Sequence, residues 1–332
     1  MKTSVNFPAL LQGFFTDRLM QQQNVSPNTI ASYRDTFRLL LGFAHQSLHK
    51  PPAALDVQDL DAPFIGRFLE HLEKDRGSSP HSRNTRLAAV HSFFNYVALQ
   101  EPSISAVVQR VLAIPHRRYH TKPIDFLTRP EIEALLAAPD QSTWLGRRDR
   151  ALLLVAVQTG LRVSELVGLR FQDITLGTGA HIRCCGKGRK ERCIPLRKDS
   201  IAALRAWSRE CGGQSADPLF PSSRGQRLSR DGVEYLLAKH VATARQSCPS
   251  LKKKRVSPHV LRHSTAMNLL QHGVDCSVIA LWLGHESIET TQVYLHADLE
   301  LKERALARTE PFHGRQGRYR PSDHLLAFLQ GL

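Results

Sequence analysis

Tyr294 lies nine residues after His285 in the stretch that opens Leu283-Gly284-His285-Glu286-Ser287, and this follows His259-Val260-Leu261-Arg262-His263. Upstream, Thr159-Gly160-Leu161-Arg162 and Gly186-Lys187-Gly188-Arg189 add a second arginine and a lysine. Arginine is the best phosphate clamp because its planar fork donates two parallel hydrogen bonds. Two arginines, a lysine, two histidines and a tyrosine form a phosphate-clamping set with a nucleophile attached. Residues this far apart act together only if the chain from 159 to 294 closes into one domain.

A chain of 332 residues suits two domains, and 42% hydrophobic content supplies cores that need no staples. The net charge is +15. Up to residue 125 there are 14 basic and 10 acidic residues; from 126 onward there are 31 and 20. Both parts are basic, which points to a polyanion, nucleic acid first. A membrane surface is the rival, but no long basic amphipathic segment, lipidation signal or long apolar run supports it. With no signal peptide, a soluble, cytoplasmic protein is expected. The six cysteines form no C-x-x-C pair, so reduced thiols are expected rather than a zinc or redox site.

Residues 1–112 read as a bundle of helices. Ser26-Pro27-Asn28-Thr29 can start one, with Ser26 as cap and Pro27 at the first helical position. Ile30, Tyr33, Phe37, Leu40 and Leu41 continue it at helical spacing. Phe64, Phe68 and Leu72 mark a second helix; Leu87, Val90, Phe94 and Val97 mark a third after Ser79-Pro80. Residues 113–125 read as a basic linker, suited to a protein that encircles a duplex. Residues 126–310 read as a second domain, opened by the capping-box pattern Thr128-Arg129-Pro130-Glu131. In it, a buried helix around Ala151–Val157 stops at Gly160, and two β-like stretches, 180–185 and 190–196, flank the Gly-Lys-Gly-Arg turn. The pattern is then helical to about 309. Residues 311–332 form a tail in which Leu325, Phe328, Leu329 and Leu332 share one helical face. The fold class expected is mainly α with a small β-hairpin or sheet.

Phosphoryl transfer needs charge stabilisation, an oriented nucleophile and a proton for the leaving oxygen. Arg162 and Arg262 suit the clamp, and His285 can add a hydrogen bond. Lys187, at a hairpin tip, suits the general acid. His259 can take the nucleophile's proton or orient the phosphate. Tyr294 suits the attacking group, because a tyrosyl phosphodiester keeps the bond energy and lets the reaction reverse onto another hydroxyl. Glu165 is placed to pair with Arg162 at i,i+3. His259, His263 and His285 could instead be core histidines or metal ligands. No H-E-x-x-H spacing or nearby carboxylate cluster supports a metal, so neither metal nor cofactor is expected.

These boxes resemble those of the tyrosine recombinase (phage integrase) family. Residues 159–166 resemble its first arginine box, 186–192 its hairpin lysine box, 259–264 its H-x-L-R-H box, and Leu283-Gly284-His285 with Tyr294 its final box. Ser26-Pro27-Asn28-Thr29-Ile30-Ala31-Ser32-Tyr33 is similar to the start of the core-binding domain in Xer-like members. The resemblance implies a SAM-like core-binding domain followed by an α+β catalytic domain. It implies Tyr294 as nucleophile, assisted by Arg162, Lys187, His259, Arg262 and His285, with Glu165 in support. It also implies cleavage of one strand to a 3′-phosphotyrosine, passage through a Holliday junction, and no metal or ATP. The partners implied are a specific site on double-stranded DNA and a homo-tetramer, or a hetero-tetramer with related recombinases, at the nucleoid of a prokaryotic cell. Because the chain runs past Tyr294 through the tail, integration, excision or transposition of a mobile element is preferred to Xer-like dimer resolution. A type IB topoisomerase-like enzyme and a non-catalytic architectural DNA-binding protein are the remaining alternatives.

DNA contacts are expected from Asn28, Thr29, Arg34, Arg83, Asn84 and Arg86, which lie near two helix starts and can read bases or hold phosphates. The run Lys252-Lys253-Lys254-Arg255 is expected on the DNA backbone.

Overall fold

The computed structural model describes residues 6–119, 124–186, 190–285 and 287–297, with 295–297 described by backbone alone. The chain divides into two compact units, Met1–Thr121 and Lys122–Leu332.

The first unit is helical. Helix α1 (Phe7–Gly13) continues as a π-wound stretch, Phe14–Gln22, and is followed by α2 (Pro27–Leu48), α3 (Ala62–Lys74), α4 (Pro80–Gln100) and α5 (Ser105–Leu112). The caps follow the sequence: Ser26 Oγ accepts from Thr29 N at 3.2 Å and Ser79 Oγ from Ser82 N at 3.2 Å. Each serine precedes a proline whose missing N–H is no loss in the first turn. The core is aromatic, with Phe14, Phe37 and Phe93 meeting edge to face. That geometry sets positive ring edges against negative ring faces.

The segment after α5 is strapped to its own unit. Arg83 donates to Pro115 O at 3.3 Å, and the Asn84 amide bonds both Arg117 O and Arg117 N. Arg117 also pairs with Glu73, and Tyr119 bonds His81. The stretch expected to connect two domains is thus tied down at residues 115–119; residues 120–123 lie outside the described ones.

In the second unit, α6 (Arg129–Ala137) opens with the expected capping box, Thr128 N donating to Glu131 at 2.8 Å. Helix α7 (Trp144–Thr159) runs through the core and ends where Gly160 takes φ +64°. After the short α8 (Val163–Leu166) comes an antiparallel sheet of β1 (Ile174–Thr175), β2 (His181–Cys185) and β3 (Glu191–Pro195) in that order. The two longer strands match the sequence reading. Strand β1 has two residues, too few to show a period of two. Helices α9 (Lys198–Cys211), α10 (Arg230–Ser247), α11 (Pro258–Gln271), α12 (Cys276–Leu283) and α13 (Glu289–Ala297) complete the unit. Helical structure is not continuous after the hairpin: between α9 and α10 the chain makes β-bridges at Arg170–Pro218 and Pro221–Arg227. Gly212, Gly213, Pro218, Pro221 and Gly225 break any helix there. No described helix is long and apolar enough to cross a membrane.

Candidate active site

The site forms where two helices end. Arg262, on α11, is 3% exposed and donates to Gly160 O and to Leu283 O, both at 2.7 Å. Arg162 donates to Gly284 O at 3.0 Å, and Trp282 Nε1 to Thr159 O at 3.1 Å. These carbonyls belong to the C-termini of α7 and α12, which lack partners within their own helices. The indole satisfies Thr159 O, and the guanidinium groups satisfy the other three and complement the negative helix ends. Both helices close on a left-handed glycine, Gly160 at φ +64° and Gly284 at φ +65°. A Cβ on Gly160 would lie 2.7 Å from a Leu283 methyl, so the first arginine box and the tyrosine box pack directly.

Glu165 organises the cations. Its side chain is 4% exposed. Oε1 accepts from Arg162 Nη1 at 3.0 Å and Arg192 Nη1 at 3.1 Å; Oε2 accepts from Arg162 N and Arg192 Nη2, both at 2.8 Å. Burial pushes its carboxyl up, but the hydrogen bonds and the two guanidinium charges outweigh burial and hold it below the usual range.

Tyr294, on α13, is 2% exposed, and its hydroxyl is 2.9 Å from His263 Nδ1. Its ring stacks near that of His285, centroids 6.4 Å apart and 13° from parallel. His285 Nδ1 in turn bonds the buried Thr291 hydroxyl at 2.7 Å. The His259 ring meets His263 edge-on at 4.2 Å. Burial, with the charges of Arg262, Arg162 and Arg192, brings His285 down to about 4. Burial, with His259 and Arg262, brings His263 down to about 4. Burial and the same two arginines, Arg262 and Arg162, lower His259. Burial raises the Tyr294 phenol against the pull of Arg262 and Arg162. Burial and repulsion from Arg162 bring Arg262 down to about 10, still charged at neutral pH. At rest the site therefore holds neutral histidines, a neutral tyrosine and cationic arginines, a set suited to an incoming anion.

Of the expected catalytic residues, Arg162, His259, Arg262, His285 and Tyr294 converge, with Glu165 beneath them. Lys187 lies outside the described residues; Gly186 N, just before it, donates to Lys190 O at 2.8 Å. Sequence reasoning assigned no role to Arg192, His263 or Thr291. Arg192 and His263 sit inside the quoted boxes, which was the available signal.

The expected DNA-contact residues divide. Asn28 is exposed, and Thr29 bonds Ser26. Arg34 pairs with Asp35 on the surface. Arg83 and Arg86 are half-buried, each with Nε buried and unpartnered among the described residues. Asn84 is engaged with the backbone of Arg117. Lys252, Lys253 and Arg255 are exposed. Lys254 points inward: it pairs with buried Glu131 at 2.7 Å and donates to Phe126 O at 2.8 Å. The ammonium of Lys254 and the amide of Asn84 thus each bond a partner inside their own unit.

The phage integrase family matches residues 125–300, and the phage integrase N-terminal SAM-like domain matches residues 13–101. The chain belongs to the phage integrase family. It is thus a tyrosine recombinase, a DNA strand-transferring enzyme. A Sinorhizobium fredii protein with the provisional name integrase/recombinase y4rC is 57% identical over 332 residues, covering 100% of both chains. The tyrosine recombinase XerD of Pseudomonas putida is 33% identical over 308 residues, 90% of this chain and 94% of that one. Among solved structures, the XerH site-specific recombinase in a post-cleavage complex with palindromic difH has a TM-score of 0.69 at 24% identity, covering 86% of this chain and 81% of that chain. The Tn1549 transposon integrase with circular intermediate DNA has a TM-score of 0.67 at 18% identity, covering 90% and 99%. These two share the recombinase's fold.

Proposed function

We propose that this recombinase cuts DNA through Tyr294. Its oxygen attacks the scissile phosphorus, forming a 3′-phosphotyrosine, while the P–O5′ bond breaks. Arg162, Arg262 and His285 hold the non-bridging oxygens. His259 accepts the phenolic proton or orients the phosphate, and Lys187 protonates the departing O5′. Attack of a partner strand's 5′-hydroxyl reverses the step, and two rounds pass through a Holliday junction within a tetramer. Because the phosphodiester energy stays in the tyrosyl ester, the scheme needs neither ATP nor metal.

The observation that carries this reading is the convergence of Tyr294 with His263, His285 and the buried Arg262 at the paired ends of α7 and α12. The DNA contacts in this reading are Asn28, Thr29, Arg34, Arg83, Asn84 and Arg86 in the first unit and Lys252, Lys253, Lys254 and Arg255 in the second, of which Asn28, Arg34, Lys252, Lys253 and Arg255 are exposed. Integration, excision or transposition of a mobile element is favoured over dimer resolution. The end-to-end match at 57%, tail included, is to a protein named integrase/recombinase, whereas the XerD match stands at 33%.

A nicked duplex that traps the covalent complex tests the proposal, run in EDTA with wild type and Tyr294→Phe. The expected result is a protein–DNA adduct that survives chelator and is absent from the variant, which still binds DNA. Adduct formation by Tyr294→Phe, or its loss in EDTA, would overturn the scheme.

A further inference from the structure

Arg192 stands on β3 opposite Cys184, and its guanidinium reaches into the catalytic set. It grips Glu165 with both terminal nitrogens, at 3.1 and 2.8 Å, and donates from Nε to Trp282 O at 3.1 Å. The side chains of Arg192 and Glu165 are 12% and 4% exposed. Two glycines are shaped around this group. A Cβ on Gly186 would lie 2.9 Å from Arg192 Nη1, and one on Gly284 would lie 2.8 Å from the same atom. Gly186 immediately precedes Lys187, and Gly284 immediately precedes His285.

One guanidinium is therefore wedged between the roots of two catalytic segments while bonded to the carboxylate that orients Arg162. A β-hairpin holds its own strands together but does not set its position against neighbouring helices. A bidentate arginine–carboxylate pair fixes orientation as well as distance. We propose that Arg192 is a positioning residue: it sets Gly186, the residue before Lys187, against Glu165 and the Trp282–Gly284 segment, so that acid and clamp meet on one phosphate. This rests on the reading of Lys187 as general acid.

The chemistry supplies a selective test. When Tyr294 displaces O5′, the phenol loses a proton and the leaving oxygen gains one. If a bridging sulfur replaces O5′, the thiolate leaves without a proton. A thiol has a pKa of about 8.5, against about 16 for water. A defect in acid delivery is thereby suppressed, whereas a general loss of the site is not.

The substrate is a nicked duplex whose site is selected from random DNA by binding to the full chain, with the scissile phosphate mapped by the covalent adduct. Cleavage is measured on oxygen and sulfur esters for wild type, Arg192→Met, Arg192→Lys, Lys187→Ala and the Arg192→Met/Lys187→Ala double variant. Arg192→Met should fall on the order of 100-fold on the oxygen ester and stay within about 5-fold of wild type on the sulfur ester. Cleavage of the sulfur ester also shows that the variant is folded. Arg192→Lys, which keeps the charge without the fork, should lie between. The double variant should be no slower than Lys187→Ala. Equal losses on both esters, or no loss, would overturn the proposal. If sulfur fails to rescue Lys187→Ala, the acid assignment falls separately. The double variant then decides for Arg192, because multiplicative losses would refute coupling to Lys187.

Discussion

The Tyr294 hydroxyl and His263 Nδ1 lie 2.9 Å apart, with the tyrosine 2% exposed. Tyr294 is thus held by a neutral histidine at the edge of the arginine pair, and the attack proposed for it requires that bond to break. Replacing His263 with Phe leaves a buried hydroxyl unpaired, which costs about 1–3 kcal/mol. The expected outcome is a lower urea midpoint for His263→Phe, with the slope of the transition unchanged.

His263 and His285 predict acid sensitivity. Both are brought down to about 4 in the folded chain, against an ordinary 6.5. The unfolded chain therefore takes up protons first as pH falls. Stability is full above about pH 6.5 and is lost between there and about 4, by up to about 3 kcal/mol for each group. Urea unfolding at stepped pH should show this loss, and a variant lacking the His263 imidazole should lose less across that window than wild type. An unchanged slope would count against the neutral resting state.

Glu165 has the opposite sign. Its depressed carboxyl contributes stability above its unfolded pKa, near 4.5, that is lost as pH falls through the lower folded value. Glu165→Gln leaves Arg162 and Arg192 without their shared counter-charge and should cost about 3 kcal/mol. It should also reduce single-turnover cleavage, because Arg162 loses its orienting partner.

Gly284 has no room for a side chain. Alanine there would place Cβ 2.8 Å from Arg192 Nη1 at φ +65°. The strained backbone alone costs about 1–3 kcal/mol. Gly284→Ala should lower both thermal stability and cleavage, whereas alanine at the open Gly66 position on α3 should leave cleavage unchanged.

The tail, outside the described residues, carries the apolar positions Leu325, Phe328, Leu329 and Leu332. If it docks on the next protomer in a cyclic assembly, removing 321–332 should weaken multimer formation on DNA, read by native electrophoresis, while single-site cleavage stays measurable. Unchanged assembly would sink this idea.

The amino-acid sequence by itself determined what depends on short-range chemistry. Ser26, Ser79 and Thr128 start their helices because a cap needs only the next three residues. Gly160 ends α7 because a left-handed position needs no side chain. The four boxes and the excess of basic residues were likewise legible, and with them the recombinase family. Only the tertiary structure decided which partner each group takes. Glu165 joins Arg192 from 27 positions away, Arg262 reaches carbonyls on two other helices, and Tyr294 meets His263 rather than solvent. Lys254 and Asn84, expected on DNA, also take Glu131 and Arg117 as partners. Spacing along the chain cannot show these pairings, because buried polar groups are matched by the packing that brings distant segments together.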